Sequence, residues 1–259
     1  MKTQTYLINR HDKLRDFLNL FLGLAAVLFL FEIVASPLCA DDTMAQPTQA
    51  VDASHLNYLK ADKPDAIELL APPPLPDSAE QSADMAEVKA VYHAATSNEI
   101  TAAYSEKKFD IFNFTPAIGN FFQPGKFPKT EEFFHRVQKE AEDVTDNAKD
   151  FYKRPRPYAV DPGLANGKLE TSFSYPSGHS TESMVLALVL ADLFPGKRDA
   201  IIAKARTIGW HRVEIARHYP TDIYAGRVLA QAIVKQMQKS SGFQKDFEEA
   251  KAEIATLQK

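Results

Sequence analysis

The stretch "SYPSGHSTESMVLALVLADL", residues 174–193, decides the fold, because a tight polar turn passes directly into a long apolar segment. Proline, glycine and small hydroxyl residues in the first part favour a turn. The part that follows contains neither Pro nor Gly, and its residues 184–191 are all apolar, as in a helix that is buried on every face. The stretch therefore predicts a buried helix over 180–193, with His179 in the turn that opens it.

The rest of the chain also has a helical pattern. Apolar residues recur at three- and four-residue spacing over 78–105, 129–152, 197–217, 221–239 and 243–257. Alternating β-branched runs, which are typical of strands, are scarce. The Phe-rich segment 109–122 is expected to pack in the core as irregular or short helical structure. We therefore expect one all-α domain over 67–259, preceded by a loosely ordered arm over 41–66.

The first forty residues form a separate segment. A basic start is followed by the apolar run 17–31 and by Ala40, which suits a cleavage site. This pattern predicts a secretory signal peptide over 1–40, and hence export to the periplasm. An uncleaved membrane anchor is the alternative, because the apolar run is long for a signal peptide. No later segment approaches the roughly 20 apolar residues of a membrane span.

Charge composition limits the possible partners. The net charge of -4 over 259 residues argues against a nucleic-acid partner. Any anion site must therefore be a local group of basic residues. One such group lies in "KDFYKRPRPY", residues 149–158, where Pro155 and Pro157 restrict the backbone around Arg156. The alternative is a solvated basic helix end that complements the helix dipole.

Two further clusters carry chemistry. At Ser177 and Gly178, backbone N–H groups at a helix start can bind an anion, although the segment could equally be an ordinary capped helix. In "HRVEIARHYPTD", residues 211–222, Asp222 follows His218 by four residues. It can accept a hydrogen bond from one ring nitrogen and leave the other as a nucleophile or base. A purely structural His–Asp contact is the alternative.

Taken together, the clusters are parts that phosphoryl transfer requires. Their order resembles the signature of the type 2 phosphatidic acid phosphatase (PAP2) superfamily, KxxxxxxRP, PSGH and SRxxxxxHxxxD. Within it the chain is similar to bacterial class A non-specific acid phosphatases, whose "LLPPP" segment is matched by "LLAPPP" at 69–74. The resemblance implies a compact helical bundle of the PAP2 and vanadium haloperoxidase type.

The resemblance also implies roles for eight residues. His218 would be the nucleophile that forms a phosphohistidine, Asp222 would orient it, and His179 would protonate the leaving group. The remaining five would hold the phosphate, with Ser177 and Gly178 acting through their backbone N–H groups: Lys149, Arg156, Ser177, Gly178 and Arg212. The implied protein is a phosphatase of small phosphate monoesters, such as nucleotides, sugar phosphates and aryl phosphates. No metal or cofactor is implied, and a homodimer is expected.

Four positions depart from the family pattern. His211 stands where serine usually precedes the third-motif arginine, and Ser174 replaces the glycine often found before the tyrosine of the second motif. Ala216 replaces a glycine, and Arg217 adds a cation beside the expected nucleophile. These departures leave the physiological substrate and the pH optimum open. Two other functions stay possible on the sequence, a vanadium-dependent haloperoxidase-like enzyme and a non-catalytic phosphate-binding module.

Overall fold

A computed structural model describes residues 57–257. The expected signal peptide and residues 41–56 of the expected arm lie outside the described residues. Within 57–257 the regular elements are helices and no strand occurs, which confirms the all-α prediction. No helix in this range combines the length and apolar character needed to cross a bilayer.

The helices follow the predicted order. They are α1 Ala66–Leu69, α2 Ala79–Ala94, α3 Ser97–Ser105, α4 Thr115–Ile118, α5 Pro128–Tyr152, α6 Pro157–Val160, α7 Gly178–Leu193, α8 Arg198–Glu214, α9 Pro220–Met237 and α10 Ser241–Leu257. Short 3-10 turns occupy Ile111–Phe114, Pro162–Leu164 and Pro195–Lys197. The periodicity therefore located α5 and α7 to α10 to within three residues at each end.

The predicted helix over 78–105 is interrupted at Thr96. Its hydroxyl accepts a hydrogen bond from the Glu99 N–H at 3.3 Å, and the Glu99 carboxylate accepts one from the Thr96 N–H at 2.8 Å. This reciprocal pair is a capping box, which starts a new helix. The prediction of one continuous helix is therefore wrong, and α2 and α3 are separate.

Helix α7 lies at the centre of the core. It packs against α8, α9 and α5, and the side chains of Val185 to Leu190 are buried or nearly so. Helix α9 comes very close to the start of α7. A Cβ placed on Gly226 of α9 would lie only 2.8 Å from the Ser177 carbonyl oxygen. This approach brings the segment carrying His218, just before α9, next to the start of α7.

The beginning of the described chain packs against the core. Tyr58 and Leu59 are buried, and the Glu140 carboxylate on α5 accepts hydrogen bonds from their N–H groups at 3.0 and 2.9 Å. The Asn57 N–H donates to the same carboxylate at 2.9 Å. A buried carboxylate needs such donors. The expectation of a loose arm is therefore wrong for residues 57–66.

Candidate active site

A cavity of about 470 Å³ opens between the end of α5, the loop at 168–172 and the start of α7. Five of the eight predicted site residues line it: Lys149, Arg156, Gly178, His179 and His218. The other three, Ser177, Arg212 and Asp222, are buried behind this wall. The fold thus gathers residues from three separated parts of the sequence around one opening.

His218 presents one ring nitrogen to the cavity. Its Nε2 lies 3.1 Å from Nη1 of Arg156. Because a guanidinium can only donate, Nε2 accepts this hydrogen bond and the ring proton is on Nδ1. Burial, followed by the charge of Arg156, lowers the pKa of His218 well below its usual value. His218 is therefore a neutral imidazole that lines the cavity, with its Nε2 lone pair directed at Arg156.

Asp222 stands behind His218. Its Oδ2 lies 3.4 Å from His218 Nδ1 and accepts closer hydrogen bonds from the Ser174 hydroxyl at 2.5 Å and the Tyr219 N–H at 2.8 Å. Burial raises the pKa of Asp222, and Arg154, which donates to Oδ1 at 2.6 Å, opposes that rise. Asp222 is held firmly by other groups, and its contact with the histidine is long.

Arg154 is an essential part of this arrangement that the sequence did not single out. Its second guanidinium nitrogen donates to Asp84 on α2 at 2.7 Å and to Gln81 at 2.7 Å. The guanidinium also stacks 3.9 Å above the centre of the Tyr219 ring. In the sequence Arg154 was one member of a basic run, and Asp84 is 70 residues away from it. Only the fold reveals that this arginine balances two buried carboxylates.

Arg156 is held by the loop opposite. Its Nε donates to the Ser172 carbonyl at 2.7 Å, Nη2 to the Ser172 hydroxyl at 3.0 Å, and Nη1 to the Arg217 carbonyl at 2.9 Å. Nη1 also forms an ion pair with Glu170 Oε2 at 2.7 Å. The guanidinium is therefore fixed at the cavity wall, as the prediction from its flanking prolines requires.

Glu170 joins the two predicted phosphate-binding arginines. Its Oε1 accepts a hydrogen bond from Nη2 of Arg212 while its Oε2 meets Arg156. Burial alone would raise the pKa of Glu170, but Arg156 and Arg212 outweigh it and hold the pKa below its usual value. The sequence offered no signal for this carboxylate, since it lies in an irregular loop.

Lys149 and Glu182 flank Gly178. A Cβ placed on Gly178 would lie 3.2 Å from Lys149 Nζ and 3.3 Å from Glu182 Oε1, so glycine leaves room for both groups. Lys149 also pairs with Asp146 at 2.9 Å. Burial raises the pKa of Glu182 to about 7, although Gln138 donates to its Oε2 at 3.0 Å. Glu182 is thus, like Glu170, a cavity carboxyl group absent from the predicted site.

His179 occupies the first turn of α7, with its ring 5.4 Å from that of Phe109. Its Nε2 is buried and has no hydrogen-bond partner among the described residues. Burial, then the charges of Arg212 and Lys149, lower the pKa of His179 to about 3. An anion bound among these cations would raise that pKa by offsetting their charge.

Ser177 does not have the predicted role of an N–H donor to phosphate. Its N–H donates to the Asp222 carbonyl at 3.1 Å, and its hydroxyl caps α7 by accepting from the Ser180 N–H at 3.4 Å. That part of the prediction is wrong, because α9 lies too close for a ligand to reach this N–H. Gly178 is the first residue of α7, so its N–H has no intrahelical partner, and the residue lines the cavity.

His211 points away from the cavity. Its Nδ1 lies 2.6 Å from Oε2 of Glu106, whose Oε1 pairs with Lys204 at 2.6 Å. Glu106 caps the end of α3, so this buried group ties α8 to α3. The departure from serine at this position therefore has a structural role beside the site.

Arg217 and Ala216 support the loop that carries His218 from behind. Arg217 is buried, lies 5.2 Å from the Tyr158 ring centre, and donates to the carbonyls of Ile215 at 3.1 Å and Lys168 at 3.2 Å. Ala216 has a left-handed backbone with φ of 51°, a conformation that suits the glycine of the family pattern. Neither side chain lines the cavity.

The arrangement can bind and attack an anion. Two histidines line one cavity together with Lys149 and Arg156, and Arg212 is buried behind its wall. Such an arrangement is suited to transferring a phosphoryl group. Within residues 57–257, no group of three or more His, Cys, Asp or Glu side chains is placed to hold a metal ion.

Comparisons with known proteins agree with this chemistry. The non-specific acid phosphatase of Providencia stuartii is 32% identical over 153 residues, which are 56% of this chain and 61% of that protein. The acid phosphatase of Zymomonas mobilis is 25% identical over 199 residues, covering 73% of this chain and 75% of that one. The match to the Providencia protein thus spans about three-fifths of its length.

Among solved structures, a transmembrane PAP2 type phosphatidylglycerolphosphate phosphatase from Bacillus subtilis has a TM-score of 0.47 and 20% identity, covering 67% of this chain and 89% of that one. The profile of the PAP2 superfamily matches residues 141–241, a range that contains all eight predicted site residues. This match covers about two fifths of the chain, and residues 141–241 are therefore similar to the PAP2 superfamily.

Proposed function

We propose that this protein is an exported acid phosphatase that hydrolyses phosphate monoesters through a phosphohistidine, without a metal ion. The observation that carries the proposal is the position of His218 Nε2, an unprotonated nitrogen at 3.1 Å from Arg156 in a cavity that Lys149 and His179 also line. The relatives named acid phosphatase support the same reaction class.

In the first step His218 Nε2 attacks the phosphorus atom of the bound ester. A P–N bond forms as the bond from phosphorus to the leaving oxygen breaks, and the oxygen takes a proton from His179 Nε2. Lys149, Arg156 and Arg212 stabilise the negative charge on the phosphoryl oxygens. In the second step water attacks the phosphohistidine and gives a proton back to His179, which releases inorganic phosphate.

The protonation of His179 links the reaction to acid pH. In the empty cavity the pKa of His179 is about 3, so the imidazolium is scarce near neutrality. A bound phosphate raises that pKa, and lower pH favours the protonated acid further. Burial, followed by the charge of Arg156, lowers the pKa of His218 well below its usual value and keeps this histidine neutral. We therefore propose a mildly acidic optimum.

The cavity suits small and varied substrates. Apart from Leu169 and Gly178, its lining residues are charged or polar, as binding of a phosphate ester requires. We propose nucleotides, sugar phosphates and aryl phosphates as substrates. Export to the periplasm follows from the N-terminal signal pattern, and a homodimer from the family resemblance. Size-exclusion chromatography with light scattering and N-terminal sequencing of the secreted protein test these two points.

Turnover of p-nitrophenyl phosphate by the wild type and by His218→Asn tests the central claim. We expect the variant to lose at least about 10³-fold in kcat, since removal of a covalent nucleophile abolishes the pathway. His135→Asn, at an exposed histidine outside this cavity, is the matched control and should keep full activity.

Quenched reactions with a radiolabelled phosphate ester should leave an acid-labile label on the wild type and none on His218→Asn. Retained turnover in His218→Asn contradicts the nucleophile assignment. Phosphate binding without turnover by the wild type would instead favour a phosphate-binding module.

A further inference from the structure

Glu170 contacts both arginines that the proposed reaction needs for phosphate. One carboxylate oxygen lies 2.7 Å from Arg156 Nη1, and the other accepts from Arg212 Nη2. The residue lines the same cavity as the two histidines. Two carboxylate oxygens on two guanidinium groups reproduce the contacts that two phosphate oxygens would make.

Arg156 does not need Glu170 for its orientation. Three of its other hydrogen bonds, to the Ser172 carbonyl, the Ser172 hydroxyl and the Arg217 carbonyl, already fix the guanidinium plane. The ion pair with Glu170 therefore balances the charge of Arg156 and is not needed to hold its guanidinium in place.

Arg212 does need an anion beside it. Its side chain is 2% exposed, and its Nε is buried without a partner in the described part of the chain. A buried guanidinium without a counter-ion is strongly unfavourable. Glu170 supplies that negative charge when the cavity is empty, and a phosphate oxygen could supply it when the cavity is filled.

The Glu170 side chain is free to turn while its backbone stays in place. The Glu170 N–H donates to the Tyr158 hydroxyl at 3.1 Å, and that hydroxyl donates to the Glu170 carbonyl at 2.8 Å. The side chain is 27% exposed, so rotation about its own bonds can carry the carboxylate from the arginines into solvent. No movement of the loop is required.

We propose that Glu170 is a built-in competitor for phosphate: its carboxylate occupies the arginine pair in the empty site, and the phosphate of the substrate displaces it. The inference rests on the proposed function in treating this cavity as the phosphate site. The exchange keeps Arg212 paired at every stage. It also weakens the binding of substrate and of the phosphate product alike, so Glu170 sets KM and favours product release.

Calorimetric titration of inorganic phosphate into the wild type, Glu170→Gln and Glu170→Asp at pH 6 tests the competition directly. Glutamine keeps the shape but not the charge, so we expect phosphate to bind about tenfold more tightly to Glu170→Gln. The shorter aspartate cannot reach both arginines while keeping the backbone pinned, and should give an intermediate gain. Glu248→Gln is the matched control, since Glu248 is exposed, pairs with Lys251 at 3.6 Å and does not line this cavity.

Turnover gives a second readout. KM for p-nitrophenyl phosphate should fall about tenfold in Glu170→Gln, together with the inhibition constant of phosphate, and both should be unchanged in Glu248→Gln. Unchanged or weaker phosphate binding by Glu170→Gln overturns the competition and leaves Glu170 as a positioning residue. Tighter binding by a protein that shows no turnover keeps this inference and removes the proposed function.

Discussion

Replacement of Arg154 by methionine should strongly destabilise the protein, because two buried carboxylates lose their counter-charge at once. Arg154 is 5% exposed and donates to Asp84 at 2.7 Å and to Asp222 at 2.6 Å. Methionine fills a similar volume without charge, so the change isolates the electrostatic contribution. Removal of one partner of a buried ion pair costs about 3–5 kcal/mol. That is a large share of the roughly 5–15 kcal/mol by which a typical domain is stable.

The same substitution should impair activity through Asp222. Burial already raises the pKa of Asp222, and Arg154 is the main charge that opposes this rise. Without Arg154 the carboxyl group becomes protonated at higher pH and no longer accepts a hydrogen bond from His218 Nδ1. Loss of an orienting carboxylate in a Ser-His-Asp triad costs about 10⁴ in kcat, and the longer 3.4 Å contact here predicts a smaller loss, about 100-fold.

Urea unfolding at pH 5 and at pH 8 measures how much Arg154→Met lowers the free energy of unfolding. The two values together show whether that loss grows or shrinks as pH rises. A carboxyl group whose folded pKa is raised stabilises the folded state at low pH and loses that contribution as pH rises through the folded pKa. The deficit of Arg154→Met should therefore be smaller at pH 5 than at pH 8. Asp84→Asn in the same background should recover part of the loss. A deficit below about 1 kcal/mol at pH 8 would refute the ion-pair argument.

Two further changes test the cavity and the helix contact. Burial raises the pKa of Glu182 to about 7, so the free energy of unfolding of the wild type should fall as pH rises from about 5 to about 8, and Glu182→Gln should flatten this slope in melting curves across that range. An equal slope in both proteins would contradict the raised pKa. Gly226→Ala should destabilise by about 1–3 kcal/mol and lower kcat/KM, since the added methyl group would meet the Ser177 carbonyl at 2.8 Å. Gly196→Ala, where nothing lies within 4 Å, is its control, and a neutral Gly226→Ala would argue against the close approach of α9.

The helices could largely be predicted from the sequence, because their signals are local. The 3.6-residue periodicity located α5 and α7 to α10, and the proline-rich and glycine-containing turns separated them. The break at Thr96 was missed although its capping box is itself a local signal, since apolar periodicity continues through it. The packing of Tyr58 and Leu59 was missed because their partner, Glu140, lies more than 80 residues further along the chain.

The residues that we propose to react could also be picked out in the sequence, through the spacing of three motifs. His218 and His179 reach the same cavity, as expected, and Lys149 and Arg156 line it with them. The role of the Ser177 N–H was mispredicted, because the approach of α9 to that N–H is a tertiary contact.

By itself, then, the sequence determined the all-α class and the helix order, and it supplied the residues that we propose to transfer a phosphoryl group. Only the tertiary structure decided how the charges among them are balanced. Arg154 pairs with Asp84 on α2, and Glu170 bridges Arg156 and Arg212 from a loop without periodicity. Such pairings join residues that are distant in sequence, and burial then shifts the pKa of groups such as Glu182. Both the ion pairs and the pKa shifts depend on which atoms are close in space, and this cannot be read from the spacing of residues along the chain.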